Sequence, residues 1–255
     1  MSYPPFGVQL IMFQQHPDYS NDLERILDAI QRAGFRAIEC GVDTSADYPR
    51  FFKGMLNRRN LRIAGLHGTP NLDIDATLRL MEIYETKDLC ISGLGGWENT
   101  IAENYLRDID KLARLGRLCK RHGVSIHYHN HAYEFLPTDE GPTGMELILG
   151  NLDPELVDLC VDVAWVRIGG QDPLAFLQRY AIRIGYIHLK DYTGDRHWVP
   201  LGQGEMPMER ILSILPQLLR VRWAIYEQDS SEDDPLEDCQ ASFRYLRRIV
   251  LGKEE

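Results

Sequence analysis

The sequence lacks paired cysteines, long apolar runs and any excess of positive charge. Its five cysteines are widely spaced and form no CxxC pair, which excludes a zinc cluster of the CxxC type and favours free thiols in a reducing cytoplasm. No stretch approaches the length of a membrane span, and the first residues, MSYPPFGVQL, do not resemble a secretion signal. The formal net charge of −10 disfavours a polyanionic partner. We therefore expect a cytoplasmic protein with no membrane or nucleic-acid partner.

Sequence motifs for nucleotide binding and for serine nucleophiles are also missing. No GxGxxG fingerprint is present, although Gly93 to Gly96 follow a predicted strand, and no GxSxG elbow occurs. Low-complexity and linker-like tracts are absent, so the sequence shows no boundary between domains.

Short apolar runs alternate with amphipathic segments along the whole chain. The runs predict eight strands, at residues 7–11, 37–40, 62–66, 89–92, 124–129, 156–161, 184–188 and 223–226. Helical periodicity predicts helices at 21–33, 105–122, 176–180, 211–219 and 243–250, with Gly34, Gly123 and Gly185 at or just past helix ends. This count predicts an α/β fold, a (β/α)8 TIM barrel formed by residues 1–255 as a single domain. An open doubly wound sheet is the alternative.

Polar side chains stand at the carboxyl ends of the predicted strands, where a barrel of this kind carries its active site. They are Glu39, His67, the segment 126–135 with three histidines, Asp162, the sequence HLKD at 188–191 and the sequence EQD at 227–229. One such residue would be unremarkable, but the pattern recurs on successive strands. The sequence therefore predicts a polar site at one end of the barrel.

Four of these residues form a possible metal site: Glu134, Asp162, His188 and Glu227. Three carboxylates and one imidazole suit Mn²⁺ or Mg²⁺ better than Zn²⁺. Each residue also has a simpler interpretation, because Asp162 could cap a helix, His188 could be an interior histidine and Glu227 could be a solvated carboxylate. The strand-five ligand is the least secure, since His127, His129 or His131 could replace Glu134.

The chain resembles the sugar phosphate isomerase/epimerase superfamily, the xylose isomerase-like barrels, over nearly its whole length. The resemblance is carried by AGFRAIECG at 33–41, YHNHAYEF at 128–135, VDVAWVRIGGQDP at 161–173, IGYIHLKD at 184–191, GQGEM at 202–206 and YEQD at 226–229. It looks most like the branch that contains inosose dehydratase-like and keto-sugar-processing proteins. The resemblance implies a divalent metal, usually Mn²⁺, held by Glu134, Asp162, His188 and Glu227, with Glu134 and Glu227 as the acid/base pair.

Two departures from the family pattern affect this expectation. Trp165 stands where epimerases often have a histidine, and His127 stands where they have a glutamate. Both favour His129 or His131 as the group that moves the proton. Lys190, His67, Trp165 and Asn130 are the expected substrate contacts, with Trp165 stacking on a sugar face and Lys190 binding a carboxylate, phosphate or oxyanion.

The leading functional hypothesis is a divalent-metal-dependent isomerase or epimerase of a sugar or keto-sugar. A bound ion would polarise a carbonyl and stabilise the enediolate formed when the neighbouring C–H loses its proton. The alternative is a dehydratase acting on a keto-sugar or cyclitol, and a third hypothesis is a non-catalytic sugar-binding protein. The DNA-repair endonucleases of the same superfamily need more metal ligands than the four named here. A homodimer is left open.

Overall fold

The structure is a computed structural model that describes residues 2–43, 48–194 and 196–252. The strands are β1 Phe6–Gln9, β2 Ala37–Gly41, β3 Arg62–Gly68, β4 Asp88–Ile91, β5 Ser125–His129, β6 Val157–Asp162, β7 Ile184–Leu189, β8 Asp191–Thr193, β9 His197–Val199 and β10 Trp223–Tyr226. The α-helices are α1 Ile11–Gln15, α2 Leu23–Ala33, α3 Tyr48–Arg58, α4 Ile74–Tyr84, α5 Ala102–Arg121, α6 Gly144–Asn151, α7 Val163–Ile168, α8 Pro173–Arg179, α9 Met208–Ile214 and α10 Pro235–Leu251. Single 3-10 turns lie at Tyr133–Phe135, Ala181–Arg183 and Leu215–Gln217.

Eight parallel strands close into a barrel in the order β1-β10-β7-β6-β5-β4-β3-β2. The predicted TIM barrel is thus confirmed, and the eight predicted strands match the observed ones to within two residues at each end. The remaining two strands, β8 and β9, pair with each other as an antiparallel hairpin after β7.

Two details of the predicted elements are wrong. Ile11 does not end the first strand, because it begins α1. Gly185 does not cap a helix, because it lies inside β7, where a Cβ atom would be 2.6 Å from His127 Nδ1 and 2.8 Å from Asp158 Oδ2. Its lack of a side chain lets another strand's histidine pass close to the backbone. Gly34 does end a helix, with the left-handed backbone that a cap requires.

Apolar side chains form two separate layers. A small cluster fills the inside of the barrel: Ala37, Ala64, Cys90, Cys160, Tyr186 and Ile225. A much larger cluster lies between the strands and the surrounding helices. Because strand side chains alternate between faces, six of the eight barrel strands contribute to both layers. No helix within the described residues is both long and apolar enough to cross a membrane.

The loop that follows β7 folds around one buried carboxylate. Asp191 accepts hydrogen bonds from the backbone N–H groups of Tyr192, Gly202, Gly204 and Met206, at 2.9 to 3.2 Å. These bonds join the beginning of β8 to the residues just after the hairpin. Position 204 requires glycine, because a Cβ atom there would collide with the Asp191 carboxylate. The hairpin carries Trp198 over the barrel end that is described below.

We expect Asp191→Ala to destabilise the protein by about 3 kcal/mol or more, because four N–H donors, two of them buried, lose their acceptor. For a chain of this size the loss corresponds to a fall of about 6 to 12 °C in melting temperature. Thermal unfolding followed by circular dichroism measures it. Asp172→Ala is the matched control, since Asp172 caps the exposed start of α8 through one hydrogen bond and its loss costs about 1 kcal/mol. Equal shifts for the two variants would contradict the anchoring role of Asp191.

Candidate metal centre

Four strand ends bring metal-ligating side chains together at the carboxyl end of the barrel. His129 ends β5, Asp162 ends β6, His188 lies near the end of β7 and Glu227 follows β10. One possible ligand atom from each residue lies within 4.8 Å of the others, and all four side chains are buried. Three of them are residues expected as ligands from the sequence, and His129 is one of the three histidines expected as alternatives to Glu134. We call these four residues the mouth cluster.

Three atoms of the mouth cluster have no hydrogen-bond partner: Asp162 Oδ2, His188 Nδ1 and Glu227 Oε2. His188 Nδ1 and Glu227 Oε2 lie directly against each other. Unpartnered polar atoms are costly inside a protein, so several of them in one place call for an ion. The residues therefore fit a divalent cation. Two imidazoles and two carboxylates suit Zn²⁺, Fe²⁺ or Mn²⁺ alike, so the preference for Mn²⁺ or Mg²⁺ over Zn²⁺, which assumed three carboxylates, has no basis in this donor set.

Asp162 caps a helix with one oxygen and directs the other oxygen to the mouth cluster. Its Oδ1 accepts hydrogen bonds from the N–H groups of Ala164 at 2.9 Å and Trp165 at 3.0 Å, which caps α7. Its Oδ2 is left to face the mouth cluster. The start of α7 therefore fixes the direction of the second oxygen.

Glu134 is the expected ligand that the structure does not bring to the mouth cluster. Its carboxylate accepts hydrogen bonds from the Tyr128 hydroxyl and from the His131 N–H, the latter at 2.8 Å. Tyr128 belongs to the apolar layer outside the barrel, between two histidines that point inward. The 3-10 turn at Tyr133–Phe135 thus turns Glu134 to the outer side of β5, where burial raises its pKa to about 7.

His127, the alternative strand-five ligand, also lies away from the mouth. Its Nε2 is 2.9 Å from Asp88 Oδ1 near the opposite end of the barrel, and Asp88 also pairs with Arg222. His127 and His129 point to the same side of β5, but two residues of rise separate them along the barrel axis. Only His129 is level with the other strand ends.

A chain of hydrogen-bond contacts runs from the mouth cluster across the barrel. His188 Nε2 is 3.0 Å from Glu39 Oε2, Glu39 Oε1 is 2.9 Å from His67 Nδ1, and His67 Nε2 is 3.0 Å from Ser92 Oγ. Burial by itself would raise the pKa of Glu39, but His188 and His67 lower it to about 2. His67, expected to contact substrate, is thus held by two protein groups. Sequence reasoning placed Glu39 at a strand end but gave it no role.

Lys190 lies among the acidic groups of the mouth. Its ammonium is 2.9 Å from Glu227 Oε1 and 3.5 Å from Asp162 Oδ2, and it also bonds Asp229. Burial lowers the pKa of Lys190, yet Glu227, Asp162 and Asp229 outweigh burial and raise it above its ordinary value. Burial likewise raises the pKa of Glu227, but Lys190 and His188 hold it well below its usual range. The expected anion-binding lysine is therefore a buried counter-ion of the protein's own carboxylates.

Aromatic rings line one side of the mouth. The Lys190 ammonium is 5.1 Å from the Trp165 ring centroid and 4.6 Å from that of Trp198, within cation–π range. His131 continues this wall, with its ring centroid 5.6 Å from that of Trp165 and 5.0 Å from that of Trp97. Trp165 therefore lies in the wall of the mouth, and its expected contact with a sugar face stays a prediction. Trp198 is supplied by the hairpin that follows β7.

The remaining expected residues differ in their surroundings. Asn130 is bound at both ends of its amide to the backbone of Asp162, at 3.1 and 3.4 Å, so it positions that ligand. Burial lowers the pKa of His129 well below its ordinary value. Burial, with the nearby Lys190, lowers the pKa of His131 to about 3. Both imidazoles are neutral at pH 7, and His131 Nδ1 is buried without a hydrogen-bond partner.

Residues 27–249 match the family described as the xylose isomerase-like TIM barrel. The chain belongs to this family.

Named relatives agree with this assignment. The chain is 23% identical over 275 aligned positions to an inosose dehydratase of Lactiplantibacillus plantarum, covering 91% of this chain and 90% of that protein. It is 29% identical over 162 positions to an inosose dehydratase of Geobacillus kaustophilus, where the match covers 56% of this chain and spans about half, 52%, of the relative. Both relatives are named as enzymes, which agrees with membership of an enzyme family.

Solved structures share the fold. A sugar phosphate isomerase/epimerase from Parabacteroides distasonis superimposes with a TM-score of 0.80 at 22% identity, covering 98% of this chain and 95% of that one. The IolI protein with a bound zinc atom superimposes with a TM-score of 0.75 at 14% identity, covering 98% and 99% of the two chains.

We expect Asp162→Asn to weaken Mn²⁺ binding by more than about 100-fold, because a ligand loss exceeds the 10- to 100-fold effect typical of an outer-sphere change. Electron paramagnetic resonance of free Mn²⁺ during titration measures the affinity. Glu134→Gln is the matched control and should bind Mn²⁺ as the wild type does. An equal loss of Mn²⁺ affinity in both variants would show that Glu134 is a metal ligand.

Glu39→Gln should weaken Mn²⁺ binding by about 10- to 100-fold, since Glu39 orients the His188 ring and favours the tautomer that leaves Nδ1 free. The same titration measures this change. Glu82→Gln, a carboxylate on the outer helix α4, provides the comparison. An unchanged affinity in Glu39→Gln would show that packing alone orients His188.

Proposed function

We propose that the protein is a divalent-metal-dependent isomerase or epimerase of a sugar or keto-sugar, acting by proton removal next to a carbonyl. The observation that carries the proposal is the convergence of three buried ligand atoms without hydrogen bonds, on Asp162, His188 and Glu227, beside the Lys190 ammonium. The zinc atom named for IolI, a structure of the same fold, supports a metal in this family.

His129, Asp162, His188 and Glu227 would hold the ion. When bound, the ion supplies a Lewis acid that polarises the substrate carbonyl and lowers the barrier to forming an enediolate. Asn130 and Glu39 keep Asp162 and His188 in place, since each hydrogen-bonds directly to its ligand residue. Burial of the whole cluster keeps water away, which strengthens these interactions.

Two side chains remain as the proton-moving groups. Glu227 offers a carboxylate inside the mouth cluster, and His131 offers a neutral imidazole with an unpartnered Nδ1 on the aromatic wall. We assign the acid/base work to this pair, because Glu134 is bound on the outer side of β5. Lys190 provides positive charge next to Glu227, where it would stabilise a developing oxyanion. Trp165 and Trp198 would pack on the C–H face of the substrate ring.

A second function, dehydration of a keto-sugar or cyclitol, is favoured by the named relatives, which are inosose dehydratases. Both reactions begin with the same proton removal. They differ in whether a proton returns to carbon or a β-hydroxyl leaves. The five free and buried cysteines favour a reducing compartment such as the cytoplasm for either function.

The two reactions separate in deuterated water. We expect a panel of keto-sugars and cyclitols, inosose included, to contain a substrate whose product gains one deuterium and retains all its oxygens, as shown by mass spectrometry. An unsaturated product that has lost water would assign the dehydratase function in its place. Absence of turnover on the whole panel with Mn²⁺, Zn²⁺ or Fe²⁺ would count against both.

Variants test the assigned roles on whichever substrate turns over. Glu227→Gln should abolish turnover, and His131→Gln should lower kcat by about 10² to 10⁴, the usual contribution of a general acid or base. Glu232→Gln alters an exposed carboxylate in the following loop and should retain wild-type activity. A His131→Gln variant with full activity would remove His131 from the mechanism.

A further inference from the structure

Two thiols lie inside the barrel, below the mouth cluster. Cys90 of β4 and Cys160 of β6 are fully buried in the interior layer. One ligand atom from each of Cys90, Cys160 and His188 lies within 4.8 Å of the others. Neither thiol takes part in the chemistry proposed above.

Glu39 adds a fourth donor to this group. Its Oε2 is 3.8 Å from Cys90 Sγ and 3.0 Å from His188 Nε2. In a tetrahedral zinc site, Zn–S and Zn–N bonds of about 2.3 and 2.0 Å place neighbouring ligand atoms about 3.5 to 3.8 Å apart. Cys90, Cys160 and His188 lie within 4.8 Å of one another, and Glu39 is near two of them, so side-chain movements of about 1 Å would bring these donors to the spacing of such an ion.

We propose that Cys90, Cys160, His188 and Glu39 form a second metal site, for a thiophilic divalent ion such as Zn²⁺ or Cd²⁺. Two sulfur donors distinguish it from the mouth cluster, since thiolates select soft ions and bind Mn²⁺ poorly. Burial raises the pKa of both thiols, so each is protonated in the ion-free protein, and binding releases one proton from each to solvent. The two thiolates balance the two positive charges of the ion, and the Glu39 carboxylate adds one negative charge beside His67.

His188 links the two sites through its two ring nitrogens. Nδ1 contacts Glu227 of the mouth cluster, and Nε2 contacts Glu39 of the thiol site. A neutral imidazole has one lone pair, so an ion on Nε2 leaves Nδ1 protonated and unable to bind a second ion. The thiophilic ion would therefore compete with the ion in the mouth, and this coupling, unlike the thiol site itself, rests on the proposed function.

Cadmium titration tests the thiol site directly. Reduced protein should develop the ultraviolet charge-transfer band of Cd²⁺–thiolate bonds, which saturates at one equivalent. Cys90→Ser and Cys160→Ser should each weaken the band, and the double variant should lose it. Cys119→Ser changes a buried thiol on α5 and should keep the band.

A wild-type protein without the band, or a double variant that retains it, would overturn the proposal. Cys90→Ala and Cys160→Ala, with unfolding temperatures recorded, exclude loss of folding as the cause.

Two further measurements separate this proposal from the mouth site. In Asp162→Asn the mouth site is impaired, and the Cd²⁺–thiolate band should persist at wild-type strength. In the wild type, one equivalent of Cd²⁺ should weaken Mn²⁺ binding at least tenfold. The double cysteine variant should bind Mn²⁺ normally when Cd²⁺ is absent. Adding Cd²⁺ to this variant should change the logarithm of the Mn²⁺ dissociation constant by less than half of the wild-type change. Antagonism that is unchanged in the double variant would place Cd²⁺ in the mouth site and contradict the coupling through His188.

Discussion

The functional end of this barrel depends on the balance of charge among side chains that are buried away from water. Four carboxyl groups, on Glu39, Asp162, Glu227 and Asp229, lie close to two basic side chains, His188 and Lys190. Moving a charge out of water costs several kcal/mol unless an opposite charge or hydrogen bond compensates. Here the acidic groups outnumber the basic ones, and a divalent ion would balance this excess of negative charge. The unpartnered ligand atoms lie where that charge is needed.

The parallel sheet supplies the positions from which these charges meet. Asp162 pairs in register with His188, and Ile225 of β10 pairs with His188 from the other side. Inward-facing residues two apart on one strand then lie at successive depths. His127 and His129 illustrate the result, since one contacts Asp88 deep in the barrel and the other joins the mouth cluster. Depth along the strand decides whether a histidine belongs to the core or to the site.

The sequence predicted most of the fold and three of the four residues that the structure brings together in the mouth cluster. The strand ends were readable because apolar alternation stops where Asp162, His188 and Glu227 begin. Glu134 was harder, because it lies beyond the strand in a 3-10 turn, and residue counting does not predict which way such a turn faces. Glu39 and Cys160 were inward-facing residues on correctly predicted strands, but their partners come from strands far away in the chain. Lys190 was recognised as important, yet its pairing with three carboxylates required the closed barrel.

The double use of Asp162 has a consequence for engineering new activities. One oxygen caps α7 and the other faces the mouth, so random substitution there removes a helix cap and a ligand together. The Trp165 and Trp198 rings lie near the Lys190 ammonium, and neither side chain both caps a helix and faces the mouth cluster with a ligand atom. A mutant library that keeps Asp162 constant and varies the two tryptophans would sample substrate preference while leaving the scaffold intact.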